Sequence, residues 1–253
     1  MSNFKNNLPK YLLRPISFIL LIVIWALAAI IVSDRTLPGP LIVVNIFIDE
    51  IVNGELLKHL GITLYRVTIS FFLAMSIGTF LGIIMGSKRN INLVLDGWNL
   101  LFLNIPALVT IILCYVWFGL TDIAAIIAVS LNKIPNVIVT VREGALAVDR
   151  NLLEVAKVFK VGPKKTFFKF FLPQLYPYIM AAARGGIALI WKIVLVVELL
   201  GRSDGVGFKL HEFFQFFDIA SILAYTLAFV AVMVFVEYCI VTPIERKFTN
   251  WRL

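Results

Sequence analysis

Apolar positions in this chain gather into long unbroken runs rather than into the one-sided stripes of a water-soluble helix. The runs cover roughly residues 16–33, 63–86, 99–119, 121–141, 175–200 and 215–241. Each is close to the ~20 residues that an α-helix needs to cross ~30 Å of hydrocarbon. The pattern predicts an all-α polytopic membrane protein, six transmembrane helices in a single domain over residues 1–253. After the first run, Leu37-Pro38-Gly39-Pro40 stops the helix, and the half-polar stretch to about Leu60 predicts a short amphipathic helix at the outer surface. The first run follows Lys5, Lys10 and Arg14, as a signal peptide would, but Ile30, Ile31 and Val32 extend it to spanning length, so it is read as a retained span.

Charge fixes the expected orientation. Lys5, Lys10 and Arg14, then Lys88 and Arg89, then Arg142, Arg150, Lys157, Lys160, Lys164, Lys165 and Lys169, then Arg246, Lys247 and Arg252 place fifteen basic residues on one side. Arg35, Lys58, Arg66, Arg202 and Lys209 are the five assigned to the other. By the positive-inside rule both termini of this multi-pass protein are expected to be cytoplasmic. Lys133, Arg184 and Lys192 remain within runs, together with Glu198. Each carries an insertion cost of roughly 2.5–3.5 kcal/mol near mid-bilayer, so these four are expected to face the bundle interior and are candidates to line a solute pathway. Arg184 and Glu198 lie about 21 Å apart along one helix and need other partners. Excess interior positive charge suits an anionic solute; structural pairing accounts for isolated cations equally well.

Composition agrees: 60% of residues are hydrophobic and 15% charged, against roughly 45–50% and about 25% in a soluble domain. The net charge of +8 follows from topology and calls for no nucleic acid. Two cysteines exclude a disulfide scaffold, and Cys114 and Cys239, both inside apolar runs, read as small packing residues. Ser70, Ala74, Gly78, Gly82 and Gly86 recur every fourth residue and form a small-residue face that another helix can approach closely, more simply within the chain than between copies. Asn104-Ile105-Pro106 and Asn132-Lys133-Ile134-Pro135 predict kinks.

The longest polar segment, residues 142–173, predicts a helix, a turn and a second helix. Asp149 or Asn151 can cap a helix whose Leu152, Leu153, Ala156 and Phe159 share an apolar face, with Glu154 in the favourable first turn. Gly162-Pro163 ends it and starts another, running through Thr166, Phe167 and Phe170 to Leu172-Pro173. A compact, basic-rimmed apolar face between two spans is suited to docking another protein.

Glu154-Val155-Ala156, followed by Leu172-Pro173 eighteen residues after the glutamate, resembles the EAA signature of ABC importer membrane subunits. That pattern has glycine six residues after the glutamate, where this chain has Lys160, with Gly162 two positions later. Leu37-Pro38-Gly39-Pro40, Trp117-Phe118-Gly119-Leu120, Trp191 with the following Lys192, Glu198-Leu199-Leu200-Gly201 before Gly205-Val206-Gly207, and the tail Glu245-Arg246-Lys247 with Trp251-Arg252 resemble the nitrate, sulfonate and taurine branch. The resemblance implies a MetI-like permease fold with a cytoplasmic coupling loop. Glu154, Val155 and Ala156 would dock on an ATPase, Gly162 would allow the turn, with Lys160 in the coupling segment at the pattern's glycine position, and Leu172 and Pro173 would fix the return to the membrane. It also implies two ATP-binding partner subunits that hold ATP and Mg, a second permease subunit, most simply a copy, and an extracytoplasmic solute-binding protein. The chain itself would hold no cofactor and would not be an enzyme. No G-x-x-x-x-G-K-[ST] phosphate loop occurs in it.

Two rivals stand beside this reading. A secondary transporter could use Glu198, Lys133 and Asp122 for ion coupling. An intramembrane enzyme would need chemistry that His59 and His211, each without a helix-spaced ligand partner, do not supply.

Overall fold

The computed structural model describes residues 10–32 and 36–243, with side chains from residue 15 onward. Lys5, Arg35 and the tail motif from Glu245 to Arg252 lie outside them, as do the side chains of Lys10 and Arg14. The described chain is helical: α1 (Lys10–Val32), α2 (Pro40–Val52), α3 (Leu56–Ser87), α4 (Arg89–Asn104), α5 (Ala107–Phe118), α6 (Asp122–Leu146), α7 (Arg150–Val158), α8 (Pro163–Thr166), α9 (Leu172–Gly201), α10 (Val206–Gln215) and α11 (Ile219–Val236). Five helices are long and apolar enough to cross a membrane, and α4 with α5 forms a bent pair that supplies a sixth.

That pair corrects the expected third span. Residues 99–119 are not one helix: α4 and α5 meet at 94° across Ile105-Pro106. Pro106 has no N–H to extend the ladder, and Asn104 Nδ2 instead donates to the Leu100 carbonyl at 2.7 Å. Pro135 behaves differently, for α6 continues through it unbroken.

The contacts divide the chain into two units. In the first, residues 1–57 with 210–230, Gly39 and Pro40 start α2 where the fixed proline φ suits a first helical turn. The fully buried Tyr225 donates to Glu50 Oε2 at 2.9 Å and packs edge-on against Phe213. Most of the α1 surface is exposed Ile, Leu and Phe, as a lipid-facing helix requires.

The second unit is residues 58–209 with 231–253. A Cβ on Gly78 would stand 2.6 Å from Val137 Cβ and one on Gly82 2.9 Å from Val141 Cβ, while Gly86 abuts Ala145. The constant offset means that α3 and α6 run parallel at backbone contact, with Ser130 Oγ donating to the Ser70 carbonyl at 3.4 Å. The small-residue face is thus consumed within the chain. Helix α9 runs the other way along α6, Gly186 facing Lys133 and Tyr178 facing Gly144. Val137, Val141, Leu175 and Ala182 form the dry core between them. Since α3 and α6 are parallel, α4 and α5 together must return the chain along α3 from its end at Ser87 toward the level of Thr63.

Candidate functional site

One end of this unit carries the segment between α6 and α9. Asp149 caps α7 by accepting from Asn151 N at 2.8 Å, and its own N–H donates to Gln174 Oε1 at 2.9 Å. Ala156 is buried and Leu153 packs on the Val141 core. Of the four residues expected to share one apolar face, Leu153 and Ala156 are turned to the bundle while Leu152 and Phe159 are exposed.

The turn after α7 has a specific cause. Val161 N donates to the Ala156 carbonyl at 2.9 Å and Lys160 N to the Lys157 carbonyl at 3.0 Å, the two bonds of a Schellman C-cap. That motif needs a left-handed residue at its centre, and Lys160 supplies it with φ +52°. Lys160 therefore adopts the conformation for which the EAA pattern uses glycine. Gly162 does not make the turn: its φ of −62° and ψ of 152° are ordinary extended backbone, capping α8 ahead of Pro163. A π-helical turn, Phe167–Phe171, with Phe167 stacked on Phe171, then leads into α9, which Leu172 and Pro173 begin. The outward surface of α7 and its turn combines Glu154, Lys157 and Lys160 with exposed Val155, Val158 and Phe159, the last two 77% and 74% accessible.

The other end lies about 30 Å away, twenty residues along α3 from Gly86 to Arg66. Arg66 is fully buried, and each of its three guanidinium nitrogens donates at least one hydrogen bond. Nε donates to Asp122 Oδ1 and Nη1 to Glu198 Oε1, both at 2.8 Å, Nη1 also to the Asp204 carbonyl at 3.0 Å, and Nη2 to the Asp204 carboxylate. Glu198, with no accessible surface, also accepts from Thr63 Oγ1 and Gly207 N, each at 2.9 Å. Val206 N donates to Thr63 Oγ1 at 2.8 Å and Gly205 N to His59 Nδ1 at 2.9 Å. Gly205 has φ +102°, and any side chain there would collide with the Glu198 carboxylate. Arg202 adds ion pairs to Asp122 at 3.4 Å and Asp204 at 3.6 Å. Partial burial pushes the Asp204 carboxyl up, but the hydrogen bond and charge of Arg66 outweigh it and hold the group below its ordinary 3.8.

The sequence reading counted Arg66 as a basic residue of an outer segment and missed this hub. Arg66 is instead ten residues inside α3, and its partners come from three other segments. The one available signal was Glu198-Leu199-Leu200-Gly201 followed by Gly205-Val206-Gly207, an acid and glycines close enough to share a turn.

The four candidate pathway charges separate cleanly. Glu198 belongs to the hub. Arg184, half exposed, donates to Glu237 Oε1 at 2.6 Å. Lys192 is exposed on α9, and Lys133 is 95% buried on α6. Neither lysine has a hydrogen-bond or ion-pair partner among the described residues.

Comparison with known proteins adds the lineage. The family described as "Binding-protein-dependent transport system inner membrane component" matches residues 78–248. A Bacillus subtilis protein named as an aliphatic sulfonates transport permease, SsuC, is 31% identical over 222 residues, which cover 88% of this chain and 80% of that one. The Escherichia coli taurine transport system permease protein TauC is 24% identical, covering 92% and 86%, and the Synechocystis nitrate import permease protein NrtB is 26% identical, covering 81% and 77%. Among solved structures, an inward-facing MetNI methionine ABC transporter chain superposes with a TM-score of 0.68 at 18% identity, over 79% of this chain and 98% of that one.

Proposed function

From the premise that the chain belongs to the binding-protein-dependent inner-membrane component family and is an ABC importer permease subunit, we propose that it couples ATP hydrolysis by separate subunits to uptake of a small anion of the sulfonate or nitrate class. The segment from Asp149 to Thr166 is the coupling element, with Glu154, Val155 and Ala156 on its docking helix, Lys160 in its turn, Gly162 opening the next helix, and Leu172 and Pro173 anchoring the return. The observation that carries this reading is the exposed apolar face of Val155, Val158 and Phe159 on a helix fixed at both ends by an N-cap and a Schellman turn. A rigid, solvent-facing apolar patch rimmed by charge is the surface a protein partner uses.

Two ATP-binding subunits, holding ATP and Mg, grip two such segments, one from each of two permease copies. Their closure moves the segments and switches the cavity between access from either side. An extracytoplasmic binding protein delivers the solute, and the segment, with both termini, is on the cytoplasmic side of a bacterial inner membrane. The anion class follows the names of SsuC, TauC and NrtB. A gradient-driven carrier is disfavoured because Asp122 and Glu198, the acids it would titrate, are tied to Arg66.

The test uses the complex purified from its native membrane. Val155→Asp with Phe159→Asp, and separately Glu154→Lys, are expected to leave the chain inserted while co-purifying ATPase and uptake of taurine, ethanesulfonate or nitrate fall about tenfold or more. Unchanged co-purification and uptake would overturn the assignment.

A further inference from the structure

The charges of the second unit divide into those with partners and those without. Arg66, Glu198, Asp122, Asp204, Arg202 and Arg184 are all bonded to other side chains. Lys133 and Lys192 are not, among the described residues, and both converge on α9. The Cε of Lys133 lies 3.2 Å from where a Cβ on Gly186 would stand, so its ammonium lies against a stretch of helix that only glycine leaves open. Lys192 sits on the accessible face of the same helix, together with Ala181, Gly185 and Ala188. Seven residues from Gly185 to Lys192 turn the helix to within about 20° and advance about 10 Å, so Gly185 and Lys192 share one face, while the buried Gly186, against which Lys133 lies, is one position and about 100° round the helix.

That face is unlike the surfaces this chain offers to lipid. Where α3 and α4 are exposed they present Phe72, Phe80, Leu93 and Trp98, whereas α9 from Ala181 to Lys192 exposes only Ala181, the paired Arg184, Gly185, Ala188 and Lys192, its larger apolar residues Val196, Leu199 and Leu200 being exposed further on. Hydrocarbon is a poor solvent for such a surface, and the interior lysine behind it has no counter-charge of its own. Both facts are satisfied together if the face borders water and the missing counter-charge arrives with the solute.

We propose that Lys133 and Lys192 are the two cationic contacts for a monovalent oxyanion, nitrate or the head of a sulfonate, as it passes along the Gly185–Lys192 face of α9, with the second copy of the chain closing the opposite side. An ammonium offers three rotatable donors and a compact charge, which suits an oxyanion that must be held in several orientations and then released. The pairing of Arg66 and Arg184 removes those cations from the path. This inference rests on the importer reading and specifies which residues meet the anion.

Gly185→Cys provides the reporter, since a side chain there meets nothing within 4 Å. In the complete complex, labelling of this cysteine by the anionic reagent methanethiosulfonate ethylsulfonate, itself a small sulfonate, is compared with labelling by the cationic trimethylammonium analogue, above the background of Cys114 and Cys239. The anionic reagent is expected to react about tenfold faster, and Lys192→Gln and Lys133→Met are each expected to reduce that preference severalfold. Lys192→Arg should keep it. Reaction with neither reagent means a sealed or lipid-facing surface and overturns the proposal, as does a preference that neither substitution changes; a preference unmoved by one substitution removes that lysine from the path. Co-purifying ATPase is measured on the same samples: its loss from the unsubstituted complex would count against the importer reading, whereas its retention with no charge preference would count against the lysines alone.

Discussion

The two ends of α3 solve opposite problems. At Arg66 the chain buries charge and answers each guanidinium nitrogen with an acceptor, which pins the start of α6 and the turn before α10 to one point. About 30 Å away, beyond Gly86, the core is apolar, and valine and phenylalanine face outward on α7. A buried hub of paired charges has little to offer a partner, whereas a helix held by its caps and by the edge of Leu153 and Ala156 keeps an outward apolar face. The contrast separates the part that keeps the bundle in register from the part that is moved by something outside it.

The largest effect expected from breaking this contrast is at the hub. Arg66→Leu leaves Glu198 buried without its counter-ion and should cost about 3–5 kcal/mol, read as a lower unfolding temperature and loss of monodisperse protein in detergent. Adding Glu198→Gln should restore part of the loss; a single variant as stable as the parent would show that the hub does not hold the fold.

A smaller effect is expected from acid. The Asp204 carboxyl is held below its ordinary 3.8 in the folded chain, so its contribution is complete above the unfolded value and disappears as pH falls through the lower folded value. Stability measured downward from pH 5 should therefore drop below about pH 4, and Asp204→Asn should start lower at neutral pH and show less of that drop. Equal acid sensitivity in the two chains would remove Asp204 from the hub's energetics.

The smallest effect is at the opposite end. Lys160→Gly relieves a left-handed β-carbon and should stabilise the turn by about 1 kcal/mol, detectable as slower amide exchange in α7. Gly162→Ala, at φ −62° with open space around it, should change exchange little. The reverse order would mean that Gly162, not Lys160, bears the turn.

How far these ends could be read from sequence follows from the range of the interactions. The crossings were legible because twenty apolar residues in a row have few other uses. The α7 cap at Asp149 was legible because a cap bonds only two residues away. The hub was not: Arg66 bonds residues 56, 132 and 138 positions distant, and local periodicity carries no trace of such pairs. Lys160 was visible only as a departure from the pattern's glycine, because lysine does not announce a positive φ. The glycine two residues later was the more natural choice, and backbone hydrogen bonds alone identify the right one.

The right-angled joint at Pro106 has a consequence for the surrounding lipid. With sixteen and twelve residues, α4 and α5 are about 24 Å and 18 Å long, and with 94° between them they cannot both stand upright. Leaning equally, they climb together about 29 Å, enough to return the chain across the hydrocarbon at the expense of a sideways elbow. An elbow of this kind folds further in thin bilayers and straightens in thick ones, which makes acyl-chain length a variable to which this transporter's flank should respond.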